Sequence, residues 1–549
     1  MIFQDLMKPD RTQLVEHCGK QMTACILVSL LVSILLVDNS TAQTSIIEQA
    51  PAEIAPIQTP FGKFSVSRPS FPNRTFDIRS FGAAEGGKVK NTEAIRKAIE
   101  AAAAAGGGKV VVPAGRWLTG AIHLENNVDL YLEKGSELLF SQDAHDYLPA
   151  VFSRHEDTEC YKFSAFVYAD GKTNIAITGD GTLNGQGRPW WVWKQEHKAS
   201  DAKLAEMAKE NVPVDKRVFD GQNGNFLRPA FFQPINCSNV LVEGVTFLYG
   251  AFWTITPTYC DTVIVRKVRI ITAGSYGHTP NGDGVDPSSS RNCLIEYCEF
   301  STGDDCIAIK SGRDRDGLRV NKPTENVVVR HCVGLEGHGG IVIGSETSGS
   351  IRNVYAYDCT FHGTDRIVRI KTARGRGGVV ENLWFEHLSA DTIQQEALRI
   401  NMLYTGTRFP AMPVTETTPT IRNIRFSDIS CTYAKAYAVE LLGLPEREIE
   451  NVRFSNITAG AAYGIYCADA DSVIFNNISI TTKSWPVIDI NDASAVSLTR
   501  MAVPGGADPF LRVAGRRSSG IVIAKTDAAA AVRVLELGRD VPYNCVQLK

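Results

Sequence analysis

NVLVEGVTF (239–247), TVIVRKVRI (262–270) and NCLIEYCEF (292–300) are one phrase written three times: a polar residue, then apolar and polar side chains in alternation. The phrase returns as NVVVRHCVG (326–334), NVYAYDCTF (353–361), NLWFEHLSA (382–390), NIRFSDISC (423–431), NVRFSNITA (451–459) and SVIFNNISI (472–480), at spacings of 21 to 41 residues. Period-two alternation marks strands with one buried face. Each unit holds two or three such runs, broken by Gly, Asn, Asp or Ser, the residues of tight turns. No amphipathic helix separates the units, which excludes βαβ crossovers, and the leucine-spaced consensus of a leucine-rich repeat is missing. A β-sandwich of hairpins would want two-residue Asn-Gly turns, which are scarce. What remains is an all-β solenoid, a parallel β-helix with one unit per coil and rungs about 4.8 Å apart. The leading Asn fits a turn, its side chain bonding to the backbone there.

Working outward, a solenoid needs a cap over its first coil. The stretch 91–105 (NTEAIRKAIEAAAAA) is the one clear helix of the early region, with Thr92 as N-cap and glycines 106–108 as its stop. The coils are expected over 76–502, preceded by a linker at 43–75 and followed by last coils and a tail at 503–549. Two insertions, 138–170 and 194–222, interrupt them, the second charged and partly helical. At the front, 22–37 (MTACILVSLLVSILLV) with Ser40-Thr41-Ala42 reads as a cleaved export signal over 1–42. The mature chain is then expected outside the cytoplasm, periplasmic or extracellular, without stable membrane insertion.

Net charge is -3 with no basic run, which argues against nucleic acid as a partner. Thirteen cysteines lie singly, with no Cys/His cluster at zinc spacing, so no metal centre is expected. Most of the eleven beyond Ala42 read as buried thiols stacked inside the solenoid, with room for one or two disulfides.

Three acidic positions carry the chemistry: Asp283 in NGDGVDP (281–287), and Asp304 and Asp305 in TGDDCIAIKSG (302–312). Asp283 and Asp304 are 21 residues apart, about one coil, and so fall on adjacent rungs. Crowded carboxylates repel, and that repulsion splits their pKa values, as glycosidic hydrolysis requires of an acid and a base. The alternatives are a calcium site or turn-capping aspartates. His338 in GHGG (337–340) lies on the next coil. In RIKT (369–372), alternation puts Arg369 and Lys371 on one face and Ile370 inward. Two cations beside an acidic groove point to a carboxylate-bearing sugar, or to counter-ions for the acids.

NGDGVDP, GDDCIAIKSG, GHGG and RIKT, in this order and spacing, resemble the four signature segments of glycoside hydrolase family 28, the polygalacturonases. The likeness runs from about Phe76 to about residue 480, with FWTITP (252–257) matching a further segment. It implies a right-handed parallel β-helix and hydrolysis with inversion, and the lack of ligand clusters predicts that no cofactor is used. It also implies Asp304 as general acid, Asp283 and Asp305 as activators of water, and His338 as a tuner of the acid's proton. Arg369 and Lys371 would bind the galacturonate carboxylate, with Asn281 beside the reacting sugar. The family's first segment is commonly Asn-Thr-Asp; here Gly282 replaces the Thr.

The expectation is therefore an exported polygalacturonase, a monomer acting on polygalacturonate or a related pectic polysaccharide. The two insertions imply a groove closed at one end and cutting from a chain end, or a branched substrate such as rhamnogalacturonan. A pectate lyase and a non-enzymatic sugar-binding β-helix are the rivals. The first would want a calcium set, and the second has no need of an Asp pair, a His and an Arg/Lys on consecutive coils.

Overall fold

Left-handed backbone heads almost every unit. Asn174, Asn239, Asn292, Asn326, Asn353, Asn382, Asn423 and Asn451 have φ between 52° and 58°, a region that Asn tolerates far better than β-branched residues. The bend directs each chain segment into its rung and stacks the amides on one another. Asn174 Nδ2 donates to Asn127 Oδ1 at 3.0 Å, Asn239 to Asn174 at 2.9 Å and Asn353 to Asn326 at 3.1 Å. The side chains thus bond to each other rather than to local backbone, because identical groups one rung apart lie within reach. Each link is worth about 1 kcal/mol net.

The computed structural model describes residues 45–404, 408 and 410–549; the leader read at 1–42 lies outside them. Within Ile46–Lys549 the repeated phrases form a parallel β-helix. Ser238–Glu243, Asp261–Arg266, Arg291–Glu296 and Thr324–Arg330 pair in register, so that Val240, Val263, Cys293 and Val327 line up inside. Phe385, Phe426, Phe454 and Phe475 continue the core as a stack with centroids 5.0, 4.8 and 4.9 Å apart. Among the described residues eleven cysteines are free and buried, as the solenoid reading expects. No described helix is long and apolar enough to cross a membrane.

Another file of core residues sets the site. Val285 pairs with Ile307, then Ile341, Val368, Leu398, Val439 and Ile465 follow in turn. The residue two places before each of these therefore falls in a second file along the edge of the sheet: Asp283, Asp305, Gly339, Arg366, Glu396, Tyr437 and Tyr463.

The ends and insertions differ from the sequence reading in detail. The capping helix is Thr92–Ala104, burying Ala94, Ile95, Ala98, Ile99 and Ala102. Asn91, not Thr92, is its N-cap, while Thr92 Oγ1 accepts from the Gly120 amide at 2.6 Å. The stretch read as a linker is not free: Ile57, Phe64 and Val66 pack on Ala176, Leu241, Ile264, Leu294 and Val328 on the outside of the coils. Within 138–170 the departure from the coil is a hairpin, Val151–His155 with Thr158–Lys162, whereas Val167–Asp170 is already a rung strand. The second insertion carries the helices Trp193–Glu196 and Lys198–Lys209. Coils continue to the C-terminus, where Ile521–Ala524 pairs with Val546–Leu548.

Candidate active site

The fold gathers the three aspartates. Asp283, Asp304 and Asp305 each offer a carboxylate oxygen within 4.8 Å of the others. This is closer than the about 6.5–9.5 Å usual between the acid and base of an inverting pair, because two are sequence neighbours and the third is one rung away. The other expected residues are near. His338 Nδ1 lies 3.0 Å from Asp304 Oδ1, and its backbone amide donates to the Asp304 carbonyl at 2.9 Å. Lys371 Nζ donates to Asp305 Oδ2 at 2.7 Å, both side chains being buried. Arg369 lies on the same outer face, with its Nε unpartnered. Glycine at 339 permits the approach, since a Cβ there would stand 3.4 Å from Asp305 Oδ1 and 2.4 Å from Val342.

The aspartates are not equivalent. Burial, then the Asp304 charge, pushes the Asp283 carboxyl well above the usual range. Burial would also raise Asp304, but the hydrogen bond and charge of His338, then Lys371 and Lys310, hold it down to about 2. Asp304 in turn raises His338 through the same contact. A general acid needs a proton, and the resemblance assigns that role to Asp304, whose carboxyl lies within hydrogen-bond reach of His338. Asp283 Oδ1 and Asp305 Oδ1 are buried and accept nothing from the protein. Two such acceptors side by side suit a nucleophilic water.

Lys310, Glu346, Trp253, Arg228 and Lys194 were missed in the sequence. Lys310 Nζ lies 3.5 Å from Asp283, 3.4 Å from Glu346 and 4.4 Å from the Trp253 ring centroid. Lys310 stands inside the quoted segment 302–312, so a cation there was readable; nothing in sequence marks Glu346. Asn281 is not free beside a sugar: its Oδ1 accepts from Lys194 Nζ at 2.6 Å and Arg228 Nη2 at 2.7 Å. The departure at Gly282 has a steric reason. A Cβ there would meet Thr272 Oγ1 and Thr279 Cβ at 2.8 Å. Thr272 supplies a hydroxyl instead, donating to the Gly282 carbonyl at 2.6 Å and accepting from the Gly303 amide at 2.9 Å.

Arg228 is fully buried and connects this site to the insertions. Its Nε donates to His197 Nε2 at 3.0 Å, and His197 Nδ1 lies 3.0 Å from Asp201 Oδ1. His155 Nε2 reaches the same oxygen at 3.1 Å, while Lys162 Nζ stands 3.3 Å from His155 Nδ1. His155, His197 and Asp201 could bracket a metal by distance alone. The two cations behind them argue against it: each donates a hydrogen bond to the far ring nitrogen, which leaves the nitrogens facing Asp201 to carry the ring protons. In the aspartate cluster, likewise, Lys371 and Lys310 occupy the place of a countercharge.

The hairpin Val151–Lys162 packs against the rungs that carry Asp283 and Asp305, farther along each strand than the aspartates. Asp157 accepts from Ser288 Oγ at 2.7 Å and from the Gly312 amide at 2.8 Å, and Arg154 donates to Ser288 and Ser289 at 2.9 and 3.0 Å. His155, on its tip, stacks on Phe252 with centroids 4.9 Å apart.

If the Asp304–His338 pair holds the acid's proton, activity is present below the raised His338 pKa and lost as pH rises through it. The alkaline limb of kcat/KM is expected above the about 6.5 of an ordinary histidine. In His338→Ala that limb moves to lower pH. A pH–rate profile checks this, and an unmoved limb would place the proton elsewhere.

Residues 151–472 match the family model described as "Glycosyl hydrolases family 28". A "Probable polygalacturonase" of Vitis vinifera is 28% identical over 388 residues, 69% of this chain and 72% of its own. An "Exo-poly-alpha-D-galacturonosidase" of Dickeya chrysanthemi is 26% identical over 440 residues, 74% of this chain and 71% of its own. Among solved structures, a hyperthermoactive exopolygalacturonase from Thermotoga maritima superposes with a TM-score of 0.68 at 35% identity, covering 77% of this chain and 93% of that one.

Proposed function

The chain belongs to the glycosyl hydrolases of family 28 and is a glycosidase, and from that premise we propose that it hydrolyses the α-1,4 links of galacturonan with inversion, working from a chain end. The observation that carries the reading is the group Asp283, Asp304 and Asp305, with His338 on the acid and buried lysines behind the others. Asp304, its side chain 21% exposed, is the most open of the three and gives the proton to the leaving oxygen. Water lies against the unpartnered oxygens of Asp283 and Asp305, and Asp305 takes its proton. Arg369 binds the uronate carboxylate. The names of the Dickeya and Thermotoga proteins support attack from an end. A leader at 1–42 fits an enzyme whose polymer lies outside the cell.

Product analysis on polygalacturonate tests this. Monomer or dimer is expected from the first minutes, saturated and with little loss of viscosity. A rapid viscosity drop would show an open groove, unsaturated products a lyase, and preference for rhamnogalacturonan the branched-substrate alternative.

A further inference from the structure

Past the catalytic rungs, the file that begins with Asp283 and Asp305 changes character. Arg366 and Glu396 neutralise each other at 2.7 Å, and then come Tyr437 and Tyr463. Their rings lie 5.1 Å apart, and Tyr466, which follows the core residue Ile465 on the rung of Tyr463, sits 6.0 Å from Tyr437. Tyr463 is 49% exposed and Tyr437 half-buried. Counted along the register from Asp305, through Gly339, Arg366 and Glu396, the two tyrosines stand on the fourth and fifth rungs. That is roughly 19–24 Å away at about 4.8 Å per rung.

We propose that Tyr437, Tyr463 and Tyr466 form a distal platform for the polymer, binding sugars several units from the bond being cut. The inference rests on the galacturonan reading above. Two observations favour a uronide chain as the occupant. The tyrosines continue the same file that holds the catalytic aspartates. Two exposed lysines flank the rings: Lys435 precedes Tyr437 by two residues, and Lys483 follows Thr482, whose hydroxyl donates to the Ala462 carbonyl beside Tyr463 at 2.8 Å. Aromatic rings offer apolar surface to the C–H faces of a pyranose and a hydroxyl to its edge, while the lysines answer its carboxylates.

The test compares chain lengths. Tyr437→Ala, Tyr463→Ala and the double variant are assayed on trigalacturonate and on long polygalacturonate, and binding of both is measured by calorimetry. The double variant is expected to lose roughly tenfold in kcat/KM and affinity on the polymer, the scale of a lost aromatic contact, with the trimer unaffected. Equal losses on both substrates, or none on the polymer, would overturn the platform. Tyr463→Ser alone, at the more exposed ring, gives the same comparison if the double variant misfolds. Wild type that binds the polymer better than the trimer but cuts neither would sink the hydrolase reading and leave the platform standing, since calorimetry reads it without turnover.

Discussion

Asp304→Asn is expected to fold normally and to lose about 10²–10⁴-fold in kcat, the range of a removed general acid. The amide keeps the shape of the carboxyl and can still meet His338 Nδ1, now 3.0 Å from Asp304 Oδ1. It cannot pass a proton to the leaving oxygen. Asp283→Asn and Asp305→Asn should be crippling as well, with losses that do not add, because the three act on one bond as a unit. Stereochemistry gives an independent check. The first product seen by proton NMR should be the β-anomer from an α-linked substrate. The α-anomer would mean that one of the crowded carboxylates attacks the sugar directly, as their separation of less than 4.8 Å would allow a retaining pair to do. Near-normal activity in Asp304→Asn would remove it from the acid's place.

Lys371→Ala carries the second large effect, and it falls on stability as well as rate. The resemblance gives Lys371 to the substrate carboxylate, but here it is spent on Asp305 at 2.7 Å, with relative exposures of 7% and 1%. Removing one partner of a buried pair strands the other charge and costs about 3–5 kcal/mol. Urea unfolding should show that loss, and adding Asp305→Asn should recover part of it, the non-additivity expected of touching residues. kcat should fall too, since Asp305 loses the cation that holds it in place. A rise in KM alone, with unchanged stability, would return Lys371 to the substrate and leave Asp305 without its anchor. Arg369, whose Nε is unpartnered, is the cation proposed for the uronate.

The coils were legible because their causes are periodic: alternation sets the faces and a left-handed residue, usually Asn, sets each turn. The gathering of Asp283, Asp304, Asp305 and His338 followed from rung spacing, and the structure brings all four together. What sequence could not give is how the charges are shared. That Lys371 serves Asp305, or that Asn281 is held by Lys194 and Arg228, depends on side chains from elements 66, 87 and 53 residues away. Nor does any local pattern reveal that the stretch 43–75 packs on the coils, because its apolar residues meet theirs only across the outer surface.

Cutting from a chain end, as proposed above, has a consequence for how substrate is counted. A catalyst that accepts only termini has a working concentration measured in moles of ends and not in grams of polysaccharide. Halving the mean length of a galacturonan solution at fixed mass would double the rate, and a partner that cuts internally would feed it. Mixed with such a partner, this protein would lag at first and accelerate as fragments accumulate.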